Sequence, residues 1–224
     1  MINKWSYSRL KTYESCPQKA KYKIIDKLPD PAGPAAARGT KYHKILEEYV
    51  GGVLPALPPD LAPNPPPLPA YLDKLNALRE KKPKLEYQIA FTREWKPTDF
   101  FADNAWARAV YDVIYPNKYE VRVIDYKTGR PSPDHLQQLE LYAATALILH
   151  PEAELAMCAD WYLDNGPHST LEFVLARNGL QDVLTRWTAR VQVMETDTVF
   201  PARPGRHCSY CAFAKKKGGP CQFG

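Results

Sequence analysis

The chain has 224 residues, enough for one substantial hydrophobic core with an appended element. Its 45% hydrophobic and 25% charged residues exclude an intrinsically disordered chain, and a net charge of +5 admits a nucleic-acid partner without establishing one. The opening M-I-N-K-W-S-Y-S-R-L-K lacks the apolar run of a secretory leader, and no stretch reaches the length of a membrane span. A cytoplasmic location is therefore expected, where cysteines serve as metal ligands or free thiols more often than as disulfides.

In chain order, residues 6–27 carry aromatic and basic side chains at near-helical spacing, with Ser6 as the N-cap and Cys16-Pro17 as an interruption. Pro29 to Gly33 is a loop, and R-G-T-K-Y-H-K-I-L-E-E-Y-V (38–50) is a helix capped by Thr40. Residues 51–69 hold eight of the 22 prolines, which excludes helix and central strand and leaves an extended loop, a surface linker before a flap. A short helix over 70–82 precedes strands at 85–95, 106–115 and 119–126. A helix follows Pro133, then strands at 155–164 and 169–176, a helix over 180–196, and a cysteine-rich tail. This order predicts an α/β fold with helices on a mixed sheet.

Two features carry chemistry. Asp112 and Asp125 fall near the ends of neighbouring strands, and Lys127 shares a face with Asp125 by strand alternation. Two such carboxylates can share Mg²⁺ or Mn²⁺, and a lysine beside them can orient or deprotonate water and offset charge on a phosphate. Asp-x-Lys alone is a frequent pattern, and a charged pair at a strand end is more often a solvated rim.

The second feature is the cysteines. Cys208-x-x-Cys211 is a chelating turn, and Cys16 and Cys221 complete a four-thiolate set from the two ends of the chain. Spacing alone leaves zinc and an iron–sulfur cluster both open. Cys158, in an apolar strand, is a spare thiol with no assigned role.

Taken in order, S-Y-S-R-L-K-T-Y-E-S-C-P, R-G-T-K-Y-H-K-I-L-E, Y-D at Asp112, V-I-D-Y-K-T-G (123–129), Q-L-E-L-Y (138–142) and the cysteine tail resemble a PD-(D/E)XK nuclease. Within that superfamily the likeness is to the RecB-like branch and its Cas-four-type iron–sulfur exonucleases, and it spans nearly the whole chain. The resemblance implies a restriction-endonuclease-like mixed β-sheet core flanked by helices. It implies one nuclease domain over 1–224: a helical part (1–33) with the first cluster ligand, a core at 84–198 and a cluster tail at 199–224. His43 would join Asp112, Asp125 and the Tyr126 carbonyl as metal ligands, Lys127 would be catalytic, and Gln138 and Tyr142 would match a Gln-x-x-x-Tyr positioning signature. Glu86 would be an auxiliary acid. Cys16, Cys208, Cys211 and Cys221 would hold a [4Fe–4S] cluster, zinc being the alternative.

Two departures from the family pattern are Ala109 in place of a glycine and nine residues between Cys211 and Cys221. The implied activity is metal-dependent DNA hydrolysis by an exonuclease favouring single-stranded ends, 5′-to-3′ by analogy. The alternatives are a CRISPR adaptation nuclease trimming spacers with an integrase, a phage or repair nuclease, and an idle DNA-binding subunit. Retention of His43, Asp112, Asp125 and Lys127 together argues against the last, and absence of a Gly-x-x-x-x-Gly-Lys-[Ser/Thr] loop argues against a helicase. Arg9, Lys11, Arg206 and Lys215 to Lys217 are expected to flank the DNA path. Tyr7, Tyr13, Tyr210 and Phe213 would stack on bases or pack around the cluster.

Overall fold

A computed structural model of the chain describes residues 1–58, 68–166 and 168–223. The helices are α1 (Tyr7–Ser15), α2 (Pro17–Ala20), α3 (Pro34–Val50), α4 (Leu68–Glu80), α5 (Asp134–Leu149) and α6 (Leu180–Thr196). The strands are β1 (Lys84–Phe91), β2 (Pro97–Thr98), β3 (Ala107–Asn117), β4 (Glu120–Lys127), β5 (Leu155–Tyr162) and β6 (Thr170–Ala176). They form one sheet in the order β2-β1-β3-β4-β5-β6. Only β4 and β5 are parallel, because α5 crosses over between them; the other neighbours are antiparallel.

Two buried clusters cover the two faces of the sheet. One contains Leu10 of α1, Leu139 and Leu147 of α5 and Trp187 and Val191 of α6. The other contains Tyr42 and Leu46 of α3 and Leu75 and Leu78 of α4. The result is a mixed sheet between two helical layers, the α/β architecture expected from the sequence.

Several boundaries differ from the sequence reading. Ser6 does cap α1, accepting from Arg9 N at 3.5 Å, and Cys16-Pro17 does divide α1 from α2. The next helix starts at Pro34 rather than at 38, because proline is pre-organised for the first helical position and three alanines follow it. Thr40 is accordingly no cap; its hydroxyl bonds Ala36 O from inside α3. The first strand stops at Phe91, where Thr92 to Trp95 make a turn that admits the two-residue β2. Of the proline-rich stretch, residues 59–67 lie outside the described residues, and α4 begins at Leu68.

The arrangement that matters for function is a fork between β3 and β4. These strands pair from Asn117↔Glu120 only as far as Val113↔Ile124, and beyond that point they part. Further along β3, the N-terminal segment fills the place β4 has left: Trp5 N donates to Trp106 O and Arg108 N to Trp5 O, both at 2.9 Å. Trp5 is held there by Trp106 and Trp95 edge-on and by Trp187 stacked at 6.1 Å. The side chains just past the last β3–β4 pair are Asp112 and Asp125.

Candidate active site

Asp112 is the pin of the fork. One of its oxygens accepts the backbone N–H of Tyr126 at 2.6 Å, and the other lies 3.1 Å from His43 Nδ1. His43 Nε2 in turn lies 2.8 Å from Tyr126 O. Both partners of the ring can accept a hydrogen bond, so in the absence of a metal ion the two contacts together suit the doubly protonated ring. Burial disfavours that charge, but Asp112, then Asp125 and the Tyr126 carbonyl, outweigh it and raise His43 to about 9.

The helix that delivers His43 is anchored at its first turns. Arg38 forks onto both carboxylate oxygens of Asp164, whose Oδ2 also takes the N–H of Gly129 at 2.7 Å. Gly129 has φ +104°, a conformation that favours glycine. The Thr-Gly turn after Lys127 is thereby fixed to the same carboxylate that fixes α3.

On the other side of the fork, α5 supplies a directed chain of hydrogen bonds. Lys127 Nζ sits 2.5 Å from Asp125 Oδ2 and donates to Gln138 Oε1 at 2.8 Å. This sets the Gln138 amide, whose Nε2 donates to Tyr142 OH at 2.9 Å and reaches Asp125 Oδ1 at 3.4 Å. Tyr142 donates its own hydrogen to Val110 O at 2.9 Å. Spacing of four residues on a helix is what lets Gln138 and Tyr142 meet, and the β3 carbonyl fixes the sense of the whole chain.

The electrostatics follow from crowding. Burial and then Asp112 raise Asp125 above the usual carboxylate range. Burial alone would lower Lys127, yet Asp125 and Asp160 more than offset it, so its ammonium is held above the ordinary value. Lys127 is therefore a fixed cation, suited to stabilising anionic oxygen rather than to taking a proton.

The structure brings His43, Asp112, Tyr126, Asp125, Lys127, Gln138 and Tyr142 to one place. Glu86 joins them: its carboxylate is 4.0 Å from His43 Nδ1. It does so from a left-handed backbone, φ +44°, in the middle of β1 between the pairs Leu85↔Val113 and Tyr87↔Tyr111. Such a conformation costs a glutamate about 1–2 kcal/mol. Among the described residues, His43, Glu86 and Asp112 place one ligand atom each within 4.8 Å of one another. An imidazole with carboxylate oxygens fits a small hard divalent ion.

One neighbour escaped the sequence reading. Asp160 on β5 pairs in register with Asp125, is fully buried, and has Oδ1 without a hydrogen-bond partner among the described residues. Burial and then Asp125 raise it to about 7. An acid inside the apolar run L-A-M-C-A-D-W-Y was the available signal, passed over because the run reads as an ordinary core strand. Cys158 in that run is buried, as expected of a spare thiol.

The cysteine ends meet without closing. Arg203 N approaches Cys16 Sγ at 3.5 Å and Cys221 Sγ donates to Gln18 Oε1 at 3.3 Å, so the tail lies against α1 and α2. All five thiols are free. Of the four aromatics expected to stack on bases or pack at the cluster, three belong to the packing. Tyr13 is buried and bonds Asp197, Phe213 is buried against Tyr22, and Tyr7 bonds Asp134 O and packs on Trp187. Tyr210 is exposed.

The family model for the PD-(D/E)XK nuclease superfamily matches residues 4–215. No curated protein matches the chain. Among solved structures, a candidate exonuclease from Eubacterium rectale has a TM-score of 0.54 at 13% identity, covering 96% of this chain and 88% of that one. SSO0001 has a TM-score of 0.49 at 18% identity, covering 99% and 87%. The first of these is a likeness of fold. Because the family match runs through α1, the fork and the start of the cysteine tail, the chain belongs to the PD-(D/E)XK nuclease superfamily.

Proposed function

We propose that this chain is a metal-dependent deoxyribonuclease that hydrolyses phosphodiester bonds at single-stranded DNA ends, in the 5′-to-3′ direction. The observation that carries the reading is the convergence of His43, Glu86 and Asp112 beside the Asp125–Lys127–Gln138 chain. His43, Asp112, Asp125 and the Tyr126 carbonyl would hold Mg²⁺ or Mn²⁺, with Glu86 as a further acid. A divalent ion there supplies Lewis-acid stabilisation of a phosphoryl oxygen. Lys127 adds a positive charge where the pentavalent phosphate becomes more anionic, and Gln138 keeps that ammonium aimed. Tyr142 and Val110 hold Gln138 in turn, so the lysine needs no reorganisation during the reaction.

The single-strand preference in this proposal comes from the family resemblance. The [4Fe–4S] centre on Cys16, Cys208, Cys211 and Cys221 is part of the same proposal, with a cytoplasmic location and the RecB-like, Cas-four-type affiliation. No helix among the described residues is long and apolar enough to cross a membrane. The role of the proposed [4Fe–4S] centre would be to brace residues 1–33 against the tail at 199–224, around a nuclease core at 84–198. The test is incubation of anaerobically purified protein with end-labelled single- and double-stranded DNA in Mg²⁺, Mn²⁺ or chelator. Stepwise shortening of the single strand that chelator abolishes is expected; equal cleavage in chelator would refute the metal.

The His43 geometry adds a proton linkage. Ligation needs a neutral ring nitrogen, and His43 is raised to about 9. Metal binding at pH 7.5 should therefore release about one proton from His43, with affinity rising with pH until about 9. Titration calorimetry in buffers of different ionisation enthalpy measures the release, and His43→Gln should remove that proton. Unchanged release in His43→Gln would take His43 out of the ligand set.

A further inference from the structure

Beside the candidate active site, on the far side of Gln138 and Tyr142, lies a cavity of about 390 Å³. Its other walls include Ser6, Ser8, Arg9, Phe100 and Arg108. No acidic side chain is among its described lining residues, although two arginines are. Partial burial, and then the neighbouring Arg108, hold the Arg9 guanidinium below its ordinary value. Two guanidiniums line one cavity whose described walls carry no carboxylate, one of them already held by Lys4 O at 2.9 Å, an arrangement that an anion would relieve.

Arg108 points to a ligand by a second route. Its guanidinium lies 4.9 Å and 5.8 Å from the ring centroids of Phe100 and Phe101, which fixes its plane. Its Nε is buried and has no hydrogen-bond partner among the described residues. A buried donor left unpaired is costly, and a phosphate bound in the cavity would repay it only if the guanidinium turns to present Nε, its terminal nitrogens being the first to be met. The hydroxyls of Ser6 and Ser8, 3.1 Å apart, face the same cavity as further donors.

We propose that this cavity is a phosphate subsite: Arg9 and Arg108 bind a phosphate of the nucleic-acid strand that is cut at the β3–β4 fork. The proposal rests on the nuclease reading for the identity of the strand. Arg108 and Asp112 are four residues apart on β3, about 13 Å at the strand rise. At the phosphate spacing of one DNA strand that is about four linkages, and fewer in an extended single strand. The shared wall of Gln138 and Tyr142 would make the bound phosphate a ruler for the position of the cut. The phosphate is either an internal linkage or the one at the strand's end.

The test uses a fluorescent single-stranded oligonucleotide, with either a 5′-phosphate or a 5′-hydroxyl, bound to the full chain in chelator so that nothing is cut. Arg9→Gln and Arg108→Gln are each expected to weaken binding about tenfold and to flatten the slope of log affinity against log salt by about 0.7 per lost contact. A loss confined to the 5′-phosphorylated oligonucleotide assigns the terminal phosphate; a loss common to both assigns an internal linkage. A neutral methylphosphonate at the engaged position should weaken wild-type binding and add nothing in Arg108→Gln, a coupling that a merely structural arginine would not produce. Arg9 is exposed on α1, so Arg9→Gln keeps the test valid if Arg108→Gln fails to fold. Unchanged affinity and salt slope in Arg9→Gln would overturn the subsite. Cleavage of the same oligonucleotide by the wild type in Mn²⁺ tests the nuclease reading separately: cleavage with no arginine effect removes the subsite alone.

Discussion

Asp112→Asn and Lys127→Ala should each lower kcat/KM on single-stranded DNA by about 10³-fold or more, against about 10- to 100-fold for Gln138→Ala. The ranking follows from what each group touches. Asp112 takes the Tyr126 N–H and faces His43, so its loss disturbs two other candidate ligands at once. Lys127 is a buried cation 2.5 Å from Asp125, and removing it leaves that carboxylate without its counter-charge as well as the phosphate without a donor. Gln138 acts through Lys127 and is replaceable in part by water. Asp112→Asn is preferable to Asp112→Ala because it keeps the shape of a residue that holds β3 to β4. Single-turnover cleavage, with thermal unfolding on the same samples, separates lost chemistry from lost structure. Full activity in both Asp112→Asn and Lys127→Ala would place the reaction elsewhere on the chain.

Much of this site was legible in the sequence because its parts sit on regular elements. Strand alternation puts Asp125 and Lys127 on one face, and helix periodicity puts Gln138 over Tyr142; both periods survive folding. What was not legible depends on departures from those periods. Glu86 was named as an auxiliary acid through the family resemblance, but the left-handed residue in β1 opposite Asp112 that accompanies its place beside His43 is announced by no local pattern in K-L-E-Y-Q. The splaying of β3 from β4 after Val113↔Ile124, with Trp5 taking the vacated edge, is a tertiary event set by four tryptophans far apart in the chain. Asp160 escaped notice because its partner strand is fixed only by the parallel β4–β5 register. Tyr13 and Phe213 were open to two readings because an aromatic beside basic residues has the same local sequence whether it faces a base or a core.

The second large effect concerns the two ends of the chain. On the proposed iron–sulfur reading, replacing Cys16, Cys208, Cys211 or Cys221 with serine should remove iron and sulfide and lower the melting temperature by about 10–20 °C. That range corresponds to losing about 5 kcal/mol from a chain of this size. Cys158→Ser should leave iron and sulfide in place, because that thiol is buried in β5 away from the tail. The nine residues between Cys211 and Cys221 are one of the two departures from the pattern of the resemblance, and their path is described by the structure. Lys215–Lys217 form a 3₁₀ turn closed by Gly218 at φ +79°. The chain then passes Gly219 so close to Phe213 that a Cβ there would lie 2.3 Å from its backbone. That approach returns Cys221 to Phe213 O at 3.0 Å and to Gln18, beside the helix that follows Cys16. Gly219→Ala should therefore loosen the proposed centre without removing any of its candidate ligands, giving partial iron loss on that reading and faster proteolysis at the lysine run. A single tetrahedral zinc would draw four sulfurs to about 3.8 Å from one another, whereas a four-iron cluster takes one thiolate per iron and spreads them wider. Among the described residues no three of these sulfurs lie within 4.8 Å of one another, so metal and sulfide analysis is what separates the two centres. Stoichiometric zinc without acid-labile sulfide would overturn the cluster; iron and sulfide lost together in Cys221→Ser and kept in Cys158→Ser would establish it.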